Sequence, residues 1–303
     1  MESSRIRNNA QVSIIIPTYN ESKNIIEVLK SIGEHLPKNL LAEAIVVDDN
    51  SPDGTGKIVE DYLKEVKQKV GYTIDVIHRK AKSGLSSAIL RGVQDAIGDI
   101  IVVMDSDLSH PPKIIPRLID EIKHSKCDVA IASRYMSGGA IKGWTFKRKF
   151  LSSTATGIAK RGLGINVSDP MSGFFAFRKR IIKGLKFDAI GYKMLLEILV
   201  KTKGVKVMEI PYTFTNRMRG SSKLDSSTML DYAKSVWRFY RYGNTIKNKE
   251  SQTSARFISK ASRFYTVGAS GLLVNYLISL LFADAAMNFW YIHATIIGIM
   301  FSM

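Results

Sequence analysis

The stretch "IIVVMDSDLSHPP", residues 100–112, runs from an uninterrupted apolar segment into two carboxylates one residue apart, a hydroxyl, a histidine and two prolines. A short apolar run of this kind, closed by turn-forming residues, reads as a strand buried on both faces. Four more runs resemble it: "VSIIIP" (12–17), "AIVVDD" (44–49), "IDVIH" (74–78) and "DVAIAS" (128–133). Between them apolar residues recur at helical spacing. Ile25, Val28, Leu29, Ile32 and Leu36 make one face; Ile58, Val59, Tyr62, Leu63 and Val66 a second; Leu85, Ala88, Ile89 and Val93 a third; Ile115, Leu118, Ile119 and Ile122 a fourth. Strand and helix in alternation predict an α/β fold, a mainly parallel sheet with helices on both faces.

In such sheets ligands lie beyond the carboxyl ends of the strands. The first run ends in "PTYNE" (17–21), the second in "DDNSPDGTG" (48–56), the fourth in "DSDLSH" (105–110), so three acidic, turn-rich loops gather along one edge. Two common phosphate motifs fail there. A P-loop ending in "GK" at 56–57 needs glycine where Ser51 stands and a hydroxyl where Ile58 stands, and the dinucleotide fingerprint lacks its third glycine at Val59. The pair Asp105 and Asp107 suits a hard cation instead. Mg²⁺ and Mn²⁺ bind through one or two carboxylates and complete their shell with substrate phosphates, which points to metal-assisted transfer from a nucleotide sugar.

Composition narrows the partner. The 303 residues are 45% hydrophobic and 23% charged, as in an ordinary folded chain, and the formal charge of +17 calls for polyanions: nucleic acid, phosphorylated small molecules or an anionic membrane. The lone Cys127 has no partner for an internal disulfide and suits a small buried apolar position.

The motifs "IIIPTYNE", "VVDDNSPDGTG", "MDSDLSHPP", "ASRYMSGG", "GWTFKRKFLSS", "DPMSGFFAF" and "GYKMLLEIL", followed by "PYTFTNRMRGSSKL", come in the order and spacing of the dolichol-phosphate mannose synthases. The chain thus resembles this subgroup of the inverting family 2 glycosyltransferases, which have the GT-A fold, over residues 12 to about 224. The resemblance implies transfer of mannose from GDP-mannose to dolichyl or polyprenyl phosphate. It implies that Pro17, Tyr19, Glu21, Val47 and Asp49 cradle the donor's base and ribose, with Asp48 stabilising the turn. Asp105, Ser106 and Asp107 contact diphosphate and sugar, Asp107 and Ser109 hold Mg²⁺ or Mn²⁺, and His110 has a structural part. Arg134, Arg217 and Lys223 bind donor phosphates, while Arg134, Arg148 and Ser152 hold the acceptor phosphate. Asp105, Asp107, Arg134 and Lys223 then carry catalysis, with "NRMRGSSKL" closing over the donor.

No general base is expected, because a phosphate monoester with a second pKa of about 6 is mostly dianionic at neutral pH. Cations must instead keep the two phosphate groups from repelling one another.

The C-terminal part reads as a membrane attachment. Residues 1–228 form the catalytic domain. Residues 229–263 contain "YAKSVWRFYRYG", where Tyr232, Val236, Trp237 and Tyr240 alternate with Lys234, Arg238 and Arg241, a composition suited to an interfacial helix. "KFLSSTATGIAKRGLG" (149–164) suits a second. Residues 264–303 hold an uncharged run at 264–282 and another from Ala286, enough for about two transmembrane helices; relatives of this layout often carry four, so a truncated chain is an expectation here. The basic belt before Phe264 places the catalytic domain on the cytoplasmic face, and "MESSRIRNNAQ" has no apolar core for a cleavable signal. Membrane lipids are therefore expected partners. Nucleic acid is not, since the basic residues adjoin apolar runs instead of an aromatic platform. Two other readings stay open: glucosyl transfer from UDP-glucose to polyprenyl phosphate, and a non-catalytic lipid-carrier or flippase-partner protein.

Overall fold

The computed structural model describes residues 9–66, 72–125, 127–187, 194–202, 204–216, 238, 239 and 241, all within one compact unit, Met1–Gly243. The expected transmembrane region and most of the expected interfacial segment lie outside the described residues.

The β-branched runs become strands where the sequence places them: β1 (Val12–Thr18), β2 (Ala42–Asp48), β3 (Thr73–His78), β4 (Ile100–Val103) and β5 (Val129–Ser133). The helical faces become α1 (Ile25–His35), α2 (Thr55–Val66), α3 (Leu85–Asp95) and α4 (Ile115–His124), the last entered through a 3₁₀ turn at Pro112–Ile114. Then follow β6 (Ala140–Ile141), α5 (Phe146–Leu163), β7 (Phe175–Arg178), α6 (Met194–Lys201), β8 (Val207–Pro211) and β9 (Thr213–Phe214). Among the described residues seven strands form one sheet in the order β3-β2-β1-β4-β7-β5-β8, and β6 pairs with β9 beside it. All neighbours in the large sheet are parallel except β7, which runs antiparallel to both β4 and β5.

Every residue of β1, β2, β4 and β5 is buried because both faces are covered. Successive side chains point to opposite faces, so the runs divide between two cores. Val12, Ile14, Ile16 and Val46 pack with Val28, Leu29 and Ile32 of α1 and Ile115, Leu118 and Ile122 of α4. Ile15, Ile45, Val47, Ile101 and Val103 pack with Ala88, Ile89 and Val93 of α3 and Leu195 and Ile198 of α6. Each buried Val, Leu or Ile among them contributes about 1.5–3 kcal/mol by leaving water.

The order of strands also makes the crevice. The chain winds from β1 outward to β2 and β3, then returns to add β4 on the other side of β1, so a switch point lies between β1 and β4. Ladder pairing of β1 with β4 ends at Ile15 and Val103, whereas β1 continues beside β2 to Thr18 and Asp48. Past Ile15 and Val103 the ladder stops, and Pro17 and Asp105 follow at the two strand ends.

β7 and β8 were not among the strands expected from the sequence. β7, "FAFR", is only four residues long and enters the sheet centre from a distant part of the chain. β8, at the edge, has an irregular burial pattern and ends in Pro211, so neither periodicity nor an apolar run marks it.

Candidate active site

Three loops meet over the crevice, and their own polar side chains hold them in place. In the loop after β2, Asp48 accepts hydrogen bonds from the Ser51 amide at 3.2 Å, the Ser51 hydroxyl and the Thr18 hydroxyl at 3.3 Å, which is the turn-stabilising part expected of it. The same loop grips the one after β1. Ser51 Oγ accepts from the Asn20 amide, Thr55 Oγ1 from the Glu21 amide and Asp53 Oδ2 from the Ser22 amide, each at 3.0 Å. Asn20 and Asn50 both adopt a left-handed φ, near 60°, a conformation that asparagine tolerates well.

Pro17 and Val47 are register partners on adjacent strands, and Ser106 Oγ donates to the Pro17 carbonyl at 3.4 Å. Half-buried Tyr19 lies with its ring 3.9 Å from the Lys82 ammonium. Glu21 accepts from Asn24 Nδ2 at 2.8 Å at the entrance to α1. Asp49 is buried: its carboxylate accepts from Arg79 Nη1 at 2.8 Å, from both the Ser83 and Gly84 amides, and so ties the end of β2 to residues 79–84. Arg79, which also donates to Ser87 Oγ at 2.7 Å, was not singled out from the sequence.

In the loop after β4, Asp107 and Ser109 form one tight turn about Leu108, whose φ is 60°. Asp107 Oδ1 accepts from the Ser109 amide at 3.1 Å and from its hydroxyl. The Ser109 proton is thus committed to Asp107, and the hydroxyl offers an ion only its lone pairs. Asp105, with its side chain 30% exposed, meets His110 Nε2 at 3.1 Å, while His110 itself is 2% exposed. These hard oxygens fit Mg²⁺ or Mn²⁺ bound with a diphosphate. Among the described residues no three His, Cys, Asp or Glu side chains gather in one place.

The cationic side is built around one indole. The Arg134 guanidinium lies 5.6 Å from the Trp144 ring and that of Arg148 4.2 Å from the same ring. Arg134 also faces Tyr135 and Phe214, at 5.4 and 5.7 Å. Tyr135 donates its hydroxyl to Ser152 Oγ at 2.8 Å, which brings Ser152 of α5 to the loop that carries Arg134. Arg134 is oriented by Asp169, fully buried, through a bidentate contact from Nε at 2.7 Å and Nη2 at 2.9 Å. Burial would pull the Arg134 value down, but the paired Asp169 carboxylate raises it above its ordinary range, so the cation persists. Glu209 in turn accepts from the Ser168 and Asp169 amides, at 2.7 and 3.0 Å.

The structure therefore brings together Pro17, Val47, Ser106, Asp105, Asp107 and Ser109 on one side and Arg134, Arg148 and Ser152 on the other. Arg217 and Lys223, with the whole "NRMRGSSKL" loop after Asn216, lie outside the described residues. Trp144, Asp169, Tyr212 and Glu209 were not assigned parts from the sequence. The available signal was chemical: a buried arginine needs a carboxylate, and "DPMSG" supplies one.

A match to the family model described as "Glycosyl transferase family 2" spans residues 13–185. The chain belongs to glycosyltransferase family 2. Its GT-A sheet carries the acidic crevice at the strand ends, and Arg134 follows β5 while Arg148 stands in the first turn of α5. Three curated relatives are similar to this family 2 glycosyltransferase over most of their length. They are a dolichol-phosphate mannosyltransferase of Pyrococcus furiosus, 42% identical over 88% of this chain and 70% of its own; one of Saccharomyces cerevisiae, 34% identical over 76% and 87%; and a polyprenol monophosphomannose synthase of Mycolicibacterium smegmatis, 32% identical over 74% and 84%. Among solved structures, glucosyl-3-phosphoglycerate synthase of Mycobacterium tuberculosis in complex with Mg²⁺ and uridine diphosphate matches with a TM-score of 0.57 at 20% identity, covering 80% of this chain and 82% of that one. This likeness is one of fold.

One segment expected at a membrane surface is partly described. Phe239, within "YAKSVWRFYRYG", is buried against Ala159 of α5 and Leu196 of α6. That position of the segment faces protein, as a packing helix would. Among the described residues no helix is long and apolar enough to cross a membrane.

Proposed function

We propose that this glycosyltransferase moves mannose from GDP-mannose to dolichyl or polyprenyl phosphate, inverting the anomeric centre and releasing GDP. The observation that carries the reading is the pairing of the Arg134 and Arg148 guanidiniums on Trp144, beside Ser152 and across from the Asp105–Asp107 turn. Two cations held around one ring suit a phosphate nucleophile, which would otherwise be repelled by the donor diphosphate. The curated relatives, named for mannosyl transfer to dolichyl or polyprenyl phosphate, support the same acceptor class.

Asp107, with its carboxylate set by Ser109, would hold Mg²⁺ or Mn²⁺. Such a metal supplies neutralisation of charge that develops on the leaving diphosphate. Asp105 and Ser106 orient the donor from the β4 side, and Pro17, Tyr19, Glu21, Val47 and Asp49 frame the nucleoside side. Arg134 and Arg148 bind the acceptor's oxygens, and Ser152 donates a hydrogen bond to them. Arg217 and Lys223 complete the phosphate contacts. The acceptor is already a dianion at neutral pH, so no side chain has to remove a proton; the protein contributes position and charge.

In this reading the catalytic domain works at the cytoplasmic face of a membrane, with residues 264–303 as its anchor. Phe146, 83% exposed at the start of α5, stands in a run with Lys142, Arg148 and Lys149, a combination suited to an anionic lipid surface next to the acceptor site.

The test is transfer of radiolabel from GDP-mannose, and in parallel from UDP-glucose, to polyprenyl phosphate with Mg²⁺ or Mn²⁺, with Asp107→Ala alongside. Metal-dependent labelling from GDP-mannose that the variant loses is the expected result. Labelling from UDP-glucose alone would overturn the donor, and labelling from neither would overturn the reaction.

A further inference from the structure

We propose that His110, braced by Tyr212, is a positioning residue that sets the Asp105 carboxylate towards the donor; the inference rests on Asp105 being a donor contact. The imidazole is held on several sides, with ring centroids of Phe174, Phe214 and Tyr212 at 5.3, 5.6 and 5.9 Å. Both ring nitrogens are engaged. Nε2 meets Asp105 Oδ2 at 3.1 Å and Nδ1 meets the Tyr212 hydroxyl at 3.0 Å.

The chemistry of the two partners sets the tautomer. A carboxylate only accepts, so Nε2 carries a proton, and in the tautomer that has its single proton there Nδ1 accepts from Tyr212. Burial pushes the Tyr212 phenol above its ordinary value, so its hydroxyl stays protonated. Tyr212 is itself fixed at the end of β5. Its amide donates to the Ser133 carbonyl at 3.2 Å and its carbonyl accepts from the Ala140 amide at 3.0 Å. A run of hydrogen bonds thus links Ser133, one residue before Arg134, through Tyr212 and His110 to Asp105, so the acidic loop and the cation share one frame.

Gly173 closes the fourth side. A Cβ there would lie 3.0 Å from Asp105 Oδ2 and 3.3 Å from His110 Nε2, so even an alanine would press on the pair. A histidine that served packing alone would need its nitrogens satisfied inside the core. His110 instead spends its Nε2 proton on a carboxylate that reaches the open crevice. Asp105 gains a fixed rotamer, and one oxygen is directed away from His110.

The experiment uses the whole 303-residue chain with ¹⁵N-labelled histidine; with five histidines the ring signals can be assigned by substitution. Expected are an Nε2-protonated, Nδ1-bare ring for His110, an Nδ1 signal that moves in Tyr212→Phe, and an Nε2 signal that moves in Asp105→Ala. The opposite tautomer, or a His110 signal unmoved by both substitutions, would overturn the proposal. In transfer assays His110→Phe, which keeps an aromatic ring but loses the donor, is expected to lower kcat about 10²-fold. His110→Gln, with an amide donor, should recover a substantial part. Calorimetric affinity for GDP-mannose gives the decisive cycle: if His110 works through Asp105, His110→Phe weakens binding in the wild type and changes it less than about threefold in the Asp105→Ala background. Additive losses, or a wild-type kcat in His110→Phe, would overturn the proposal. If the wild type neither binds nor uses GDP-mannose, the donor reading fails, and the ring spectra still decide the His110 geometry.

Discussion

Asp169 accepts three hydrogen bonds from a single residue, Arg134: the backbone amide at 3.1 Å, Nε at 2.7 Å and Nη2 at 2.9 Å. The two side chains are 9% and 0% exposed, so the pair orients a guanidinium that few waters can reach.

Asp169→Asn is therefore expected to be costly. It leaves the Arg134 charge buried without its counter-ion, which typically destabilises by about 3–5 kcal/mol. The urea midpoint should fall, and transfer by the folded fraction should drop at least tenfold. Glu209→Gln, which removes one of two amide acceptors beneath Asp169, should show the same pattern more weakly. Wild-type kcat in folded Asp169→Asn would show that Arg134 needs no such orientation.

Trp144 separates acceptor from donor effects. Each guanidinium on its ring is worth about 0.5–2 kcal/mol, so Trp144→Ala should raise KM for polyprenyl phosphate several-fold and leave KM for the donor nearly unchanged. Trp144→Phe should lie between. A change in donor KM alone would move the Arg134–Arg148 pair out of the acceptor site.

Two glycines that pack against the sheet, Gly98 before β4 and Gly56 in α2, should respond unequally to alanine. At Gly98 a Cβ would sit 2.7 Å from the Ser13 amide nitrogen and 2.7 Å from the Val12 carbonyl carbon, backbone that the sheet holds fixed. At Gly56 it would meet the imidazole of His78 at 2.5 Å, on a half-exposed side chain that can swing away. Gly98→Ala should thus lower the unfolding free energy by more than about 2 kcal/mol, and Gly56→Ala by well under half of that. Equal effects would mean that the Gly98 turn yields.

Cys127 should report unfolding. Burial pushes its thiol up to about 11 from an ordinary 9.0, so the folded state binds the proton more tightly. The stability this contributes is fully present below pH 9 and is lost as pH rises through about 11. Iodoacetamide at pH 8 should leave the native chain unmodified and label it at the rate of unfolding in urea. Rapid labelling of the native protein would show that the thiol is open to solvent.

Much of the architecture could be read from local pattern because pattern and burial coincide. Unbroken β-branched runs mark strands covered on both faces, and the spacing of Ile115, Leu118, Ile119 and Ile122 marks α4; all four are buried. The loops after β1, β2 and β4 were legible for the same reason, since each follows its strand directly. Asp48, Asp107 and Ser109 find partners within a few residues or on the adjacent strand, so short-range spacing foretold their turns.

Contacts that join distant segments could not be read this way. Asp169 reaches Arg134 across 35 positions, and Tyr212 reaches His110 across 102. β7 lies antiparallel in the middle of a parallel sheet because the chain returns there after the long α5, an event with no local signature. The one-dimensional order of residues thus settles which segments form strands and helices and which loops carry carboxylates, because hydrophobic period and turn chemistry act over a few residues. Which arginine faces which carboxylate, and which histidine steadies Asp105, depends on packing that closes loops of tens of residues, and only the folded chain brings those atoms within hydrogen-bond reach.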